Sequence, residues 1–148
     1  MIDLPSSVLF ACTMNSIRSP IAEGILKFFH GHAIYVDSVG VYSSNIDEFA
    51  VAVMEEIGID LSNHKGKRFD DLEDTSYDVV ISLSPDAHHR AIELTRVMAI
   101  ELEFWKVIDP TLISGERRET HLNAYRFVRD ELIALIKKRF PVMSMSDT

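Results

Sequence analysis

Short continuous apolar runs alternate along the chain with longer stretches in which apolar residues recur every three or four positions. The first run, Val8-Leu9-Phe10-Ala11, leaves no polar position to face water, which predicts a strand buried on both faces. Ile21, Ala22, Ile25, Leu26, Phe28 and Phe29 follow at helical spacing. Ser19-Pro20 is a start signal for that helix, with Ser19 as cap and Pro20 at the first helical position, and Gly31 is its terminator. A second strand is expected over residues 33–36. A helix is expected over 45–57, with Phe49, Val53, Met54 and Ile57 on one side and Gly58 as its stop. Residues 77–83 read as a third buried strand, and Pro85 opens a helix reaching Arg96. The stretch 100–108 holds a fourth strand, placed in its second half. The last helix is expected over 119–140, with Leu122, Tyr125, Phe127, Val128, Leu132, Leu135 and Ile136 apolar.

Strands that alternate with helices predict an α/β fold, a parallel sheet covered on both faces. In such sheets ligands bind beyond the carboxyl ends of the strands, near the point where strand order reverses. Cys12 stands just past the first strand, so this region is where chemistry is expected.

Composition narrows the picture. A chain of 148 residues, 47% hydrophobic, suits one domain over 1–148. A formal net charge of -8 argues against nucleic acid as a partner. With one cysteine, no intramolecular disulfide can form. The first residues carry no basic region ahead of an apolar run, and no apolar stretch reaches the ~18 residues of a membrane span. A cytoplasmic protein with no membrane partner is expected. The polar tail, 143–148, is expected to fray.

The segment Cys12-Thr13-Met14-Asn15-Ser16-Ile17-Arg18 carries the chemistry. Between a strand and a helix, its backbone from Thr13 through Met14, Asn15, Ser16 and Ile17 to Arg18 can curl so that the N–H groups face one centre. The helix N-terminus adds positive potential there. Asn15 tolerates the left-handed conformation such a curl requires. Arg18 can fold back as a bidentate clamp on two phosphate oxygens. The same field favours a thiolate at Cys12, set beneath a bound phosphoryl group and suited to in-line displacement through a phosphocysteine. The bland alternative is an inert core thiol. A phosphatase also needs an acid for the leaving oxygen. Asp109-Pro110 follows the fourth strand and emerges at the same end of the sheet, so Asp109 is the candidate acid.

Taken together, these residues resemble the low-molecular-weight protein tyrosine phosphatase family and the related arsenate reductases. The resemblance covers nearly the whole chain. It is carried by Val8 to Cys12 with Asn15 and Arg18-Ser19-Pro20, then Asp37-Ser38-Val39-Gly40, Gly58-Ile59-Asp60, His64-Lys65-Gly66-Lys67, Tyr77-Asp78-Val79-Val80 and Asp109-Pro110. It implies a three-layer fold around a four-stranded parallel sheet of order 2-1-3-4. It implies Cys12 as nucleophile, Arg18 as clamp, and Asp109 as acid and then base. Ser19 would hydrogen-bond the thiolate, and Asn15, Ser38 and His64 would hold the loop. Read alone, Ser19 caps a helix, Ser38 ends a strand and His64 is a loop residue. No cofactor and no metal is implied.

The chain departs from the family at three places. Met14 stands where the family usually has Gly, Ile17 where it has a second Cys, and Thr111 where an aromatic usually follows Asp-Pro. Tyr42 can supply a ring near the site instead, or simply pack. His88-His89, His64 and His121 lack metal-ligand spacing and read as ordinary surface positions. Glu116 to Glu119 reads as an exposed charged stretch, and Phe104-Trp105 as packing at the sheet edge. The leading expectation is a cysteine phosphatase acting on phosphotyrosine, in a phosphorylated protein or a small aryl phosphate, and binding phosphate-like anions. The alternatives are an arsenate reductase using an external thiol, and a catalytically weak phosphate- or phosphoprotein-binding module.

Overall fold

A computed structural model describes residues 3–73 and 76–142. Its centre is a four-stranded parallel sheet in the order β2-β1-β3-β4. The strands are β1 Ser7–Cys12, β2 Tyr35–Gly40, β3 Val79–Ser82 and β4 Glu101–Phe104. The helices are α1 Arg18–His30, α2 Glu48–Glu55, α3 Pro85–Ile92 and α4 Arg118–Arg139. Cys12 pairs with Gly40, Ala11 with Ser82, and Ser82 with Phe104, so the carboxyl ends of all four strands are level. The chain leaves β1 toward β2 on one side and later returns to β3 on the other. The switch point therefore lies beside Cys12.

The strand period of two sorts the core into two layers. Val8, Phe10 and Cys12 of β1 pack with Ile21 and Ile25 of α1, Val53 and Met54 of α2, and Val128 and Leu132 of α4. Leu9 and Ala11 face the other way, against Ala87 and Ala91 of α3 and against Phe69. Each large side chain removed from water contributes about 1.5–3 kcal/mol. Polar ties close the helical layer. Arg129 Nη1 reaches Val53 O and Glu56 Oε1, both at 2.8 Å. Arg126 grips both oxygens of Glu56, and that hydrogen-bonded guanidinium draws the carboxyl down to about 2. His30 Nε2 meets Phe140 O at 2.8 Å and fixes the end of α4 against α1. Among the described residues, no helix is long and apolar enough to cross a membrane.

Element order and type match the sequence pattern, while several boundaries differ for physical reasons. The strand expected over 33–36 is Tyr35–Gly40, because Asp37 and Ser38 are polar residues kept in a strand by partners elsewhere in the chain. The fourth strand occupies the first half of its stretch, not the second. There Glu101 and Glu103 alternate with Leu102 and Phe104, and both glutamates pair with Arg139 along the sheet edge. The second helix is shorter than 45–57, starting only after Asp47, whose carboxylate caps Phe49 N and Ala50 N. Helix α3 stops at Ile92, and Glu93–Arg96 continue as a 3-10 turn. Gly58 has a left-handed φ of 80°, as a stop after a helix requires. Gly31 ends α1 without one, its φ being -61°. Trp105 packs edge-on to Phe10, with ring centroids 6.1 Å apart. The tail expected to fray lies outside the described residues.

Candidate active site

The loop after β1 turns its two kinds of backbone group in opposite ways. Its carbonyls are taken by the chain that leaves β2. Val41 N donates to Cys12 O, Tyr42 N to Thr13 O, Ser44 N to Met14 O and Asp47 N to Ser16 O, at 2.9–3.2 Å. The N–H groups of residues 13–18 find no acceptor among the described residues. Buried N–H groups are almost always paired, and a run of free ones beside a helix N-terminus is an anion-binding arrangement. Asn15 makes the curl possible with a φ of 52°. Gly40 makes room for it. A Cβ there would sit 2.3 Å from Tyr42 O and 2.7 Å from Asn15 N. Gly40→Ala is therefore expected to cost about 1–3 kcal/mol and to lower Tm by several degrees. It is also expected to weaken the thermal stabilisation given by phosphate. Differential scanning fluorimetry with and without phosphate checks both.

Beneath the loop, one amide sets the direction of every proton. Asn15 Oδ1 accepts Lys67 N at 2.9 Å, which fixes the oxygen end. Nδ2 therefore donates, to Ser19 Oγ at 2.8 Å and to Ser38 Oγ at 2.9 Å. Ser38 passes its own proton to Glu23 Oε1 at 2.5 Å. Ser19 Oγ, already an acceptor, lies 2.9 Å from Cys12 Sγ and 3.5 Å from Val39 O, and its proton can turn to the sulfur when Cys12 is a thiolate. His64 Nε2 lies 3.1 Å from Asn15 Oδ1 and can only donate there. Its Nδ1 is 3.8 Å from Glu23 Oε1. Glu23 also pairs with Lys27, one turn along α1.

Ser19 is thus not the helix cap expected from the sequence. Helix α1 starts at Arg18, the cap position Ile17 makes no side-chain cap bond, and the Ser19 hydroxyl points back to the thiol. Arg18 Nη1 donates to Leu83 O at 3.3 Å and Val107 O at 3.1 Å, beyond the ends of β3 and β4. Asp109 comes two residues after Val107. Its Oδ1 accepts Thr111 N at 2.9 Å and Thr111 Oγ1 at 2.7 Å. Thr13 Oγ1 donates to Ser84 Oγ at 3.0 Å, so the head of α3 also touches the loop.

Sequence comparison places this arrangement. The profile of the low molecular weight phosphotyrosine protein phosphatase family matches residues 7–139. The chain belongs to that family. Within it the chain is similar to both arsenate reductases and phosphatases. Over 76 residues it is 43% identical to the glutaredoxin arsenate reductase of Synechocystis sp. PCC 6803, a match covering 51% of this chain and 58% of that one. A solved arsenate reductase in the phosphate binding state is 31% identical, covers 90% of this chain and 95% of its own, and has a TM-score of 0.69. The low molecular weight protein tyrosine phosphatase of T. tengcongensis is 27% identical, over 90% of this chain and 96% of that one, with a TM-score of 0.74.

The phosphatase-family loop brings together Cys12, Asn15, Arg18, Ser19, Ser38 and His64, which the sequence singled out. Met14 and Tyr42 remain exposed at the rim. Glu23 was not foreseen. In the sequence it is one more polar residue on an amphipathic helix, yet it is 9% exposed and anchors the network. Lys67 N was equally hidden, because a backbone donor leaves no trace in residue type. His88 is not a free surface histidine, since Nδ1 meets Ser82 Oγ at 2.7 Å and its ring lies against Phe104. His121 packs on Phe49 and reaches Gly115 O.

Burial pushes His64 below its ordinary value, outweighing the opposing pull of Glu23. The unfolded chain then binds a proton at His64 that the folded chain resists. Stability from this residue is present above the ordinary value and falls as pH drops through it. Urea midpoints are expected to decline from about pH 7.5 to about pH 5.5, and less steeply in His64→Gln, which keeps a donor toward Asn15. Glu56 loses its contribution only between the ordinary carboxylate range and about 2, so it leaves this window untouched.

Proposed function

We propose that this chain hydrolyses phosphate monoesters, phosphotyrosine or other aryl phosphates, through a phosphocysteine at Cys12. The observation that carries the reading is the run of N–H groups over Thr13, Met14, Asn15, Ser16, Ile17 and Arg18, with its carbonyls tied away and a thiol at its start. Three phosphate oxygens would take those donors. Arg18 spends Nη1 on two carbonyls, which aims the rest of its fork at two of the oxygens. The thiolate, held by the Ser19 hydroxyl, attacks phosphorus as the S–P bond forms and the P–O bond to the leaving group breaks. Asp109 Oδ2, without a hydrogen-bond partner among the described residues while Thr111 occupies Oδ1, protonates the leaving oxygen. It then takes a proton from the water that cleaves the phosphocysteine. Residues 1–148 act as one domain in this reading, in the cytoplasm, without a cofactor.

A second reading is favoured by the names of its relatives. Cys12 would attack arsenate, and an external thiol would supply the second sulfur. Arsenic(V) leaves as arsenic(III), and the two thiols end as a mixed disulfide. The single cysteine makes that external thiol obligatory. Two assays on wild-type protein decide between the readings. Turnover of p-nitrophenyl phosphate without thiol-dependent arsenate reduction is expected. The converse result would establish the reductase, and vanadate binding with neither activity would leave a binding module.

A further inference from the structure

Asp47 and Tyr125 touch neither the thiol nor the acid, yet they stand between the two loops that carry them. The Asp47 N–H donates to Ser16 O inside the phosphate loop at 3.1 Å. Its Oδ1 caps α2 at Phe49 N and Ala50 N. Its Oδ2 accepts the Tyr125 phenol at 3.0 Å, across 78 positions of sequence. Tyr125 is 3% exposed, and its ring packs on Phe49 with centroids 5.3 Å apart. The same stretch of α4 carries the acid's turn. Ala124 and Phe127 line an apolar hollow with Ile108, Pro110 and Ile113, residues on both sides of Asp109. Burial first, then the charges of Asp47 and Asp109, push the Tyr125 phenol above its ordinary value. It therefore remains a protonated donor at neutral pH. Another tie between the two loops, Arg18 to Val107 O, is made by a side chain that in the proposed reading also grips phosphate.

We infer that the Tyr125–Asp47 hydrogen bond positions the phosphate loop against the α4 segment that carries Asp109, and so sets the distance from acid to thiol. Both are positioning residues, and the inference rests on the phosphatase reading of Cys12 and Asp109. Small displacements of a reacting group are costly, since a misplacement of ~1 Å can cost ~10²-fold in rate. A hydroxyl on a buried helical position is indistinguishable from a core phenylalanine in the hydrophobic pattern, so nothing in the sequence marked it.

Tyr125→Phe keeps the ring and removes the bond. A displaced acid harms an ester with a poor leaving group more than one whose leaving group departs unprotonated. The test compares kcat/KM, which reports only the steps through loss of the leaving group, for phenyl phosphate and 2,4-dinitrophenyl phosphate in wild type, Tyr125→Phe, Asp109→Asn and the double variant. Tyr125→Phe is expected to lose about ten-fold on phenyl phosphate and under about two-fold on the dinitrophenyl ester. In the Asp109→Asn background it is expected to add no further loss. Asp47→Ser, whose single hydroxyl can still cap α2 but leaves no second oxygen for the phenol, is expected to show the same split and carries the test should Tyr125→Phe fail to fold. Equal losses on both esters, undiminished rates, or full additivity in the double variant would overturn the inference. A wild type that turns over neither ester overturns the phosphatase reading instead.

Discussion

Cys12→Ser is expected to abolish turnover of p-nitrophenyl phosphate while leaving phosphate binding intact. The two effects separate because they depend on different atoms. In the proposed mechanism binding rests on the N–H groups of residues 13–18 and on Arg18, none of which the substitution touches. The hydroxyl still fits the place of the thiol beside Ser19 Oγ. It is a far poorer nucleophile at neutral pH, and its hydrogen-bond partner among the described residues is the Ser19 hydroxyl, which is no general base. Removing a covalent nucleophile costs a factor on the order of 10⁴ or more in kcat. Phosphate affinity is therefore expected to hold. Steady-state kinetics give the first effect. The shift in Tm with phosphate, which follows the logarithm of ligand over Kd, gives the second. Loss of both together would mean that the substitution had collapsed the loop.

Asp109→Asn is expected to lower kcat by about 10²–10⁴, the usual worth of general acid–base catalysis. Asparagine keeps an Oδ1 for Thr111 N and Thr111 Oγ1, so the turn has its two bonds and only the transferable proton is lost. KM for p-nitrophenyl phosphate is expected to change little, because Asp109 is not among the donors that hold the phosphate. A fall in kcat/KM that is the same at every pH and for every leaving group would point to a displaced loop and not to a missing acid.

The sequence made much of this legible because two signals agreed. The apolar run Val8 to Ala11 predicted a buried central strand, and it is the middle of the sheet. Cys12 and Arg18 bracketed the loop that follows, and Asn15 takes the left-handed conformation its residue type allows. Elements were harder to delimit wherever function places polar residues in regular structure. Asp37 and Ser38 continue β2 as polar residues because Lys67 and Glu23 satisfy them. Ser19 looked like a cap because caps and thiol donors are the same residue type. Glu23, Lys67 N and the Tyr125–Asp47 bond were invisible, since each is defined by a partner 15 to 78 positions away.

Met14, Ile17 and Thr111 give this family member its own character. Met14 is 39% exposed, so its side chain is not packed into the core beneath the loop. Ile17 is buried in the core, where a second thiol would otherwise stand near Cys12. Without that neighbour, oxidised Cys12 has no intramolecular partner, and any disulfide it forms must be with another molecule. Thr111 supplies no ring, but it fixes the carboxylate of Asp109.

The covalent step itself can be caught. In the proposed mechanism, Asp109→Asn is expected to slow cleavage of the intermediate by removing the base that activates water. Mixing it with 2,4-dinitrophenyl phosphate, which needs no acid to leave, and quenching in acid within the first turnover should trap the phosphoenzyme. Intact-protein and peptide mass spectrometry are expected to find one phosphate per chain, on Cys12. Turnover with an unmodified Cys12 throughout, or a phosphate on any other residue, would contradict the displacement at this thiol.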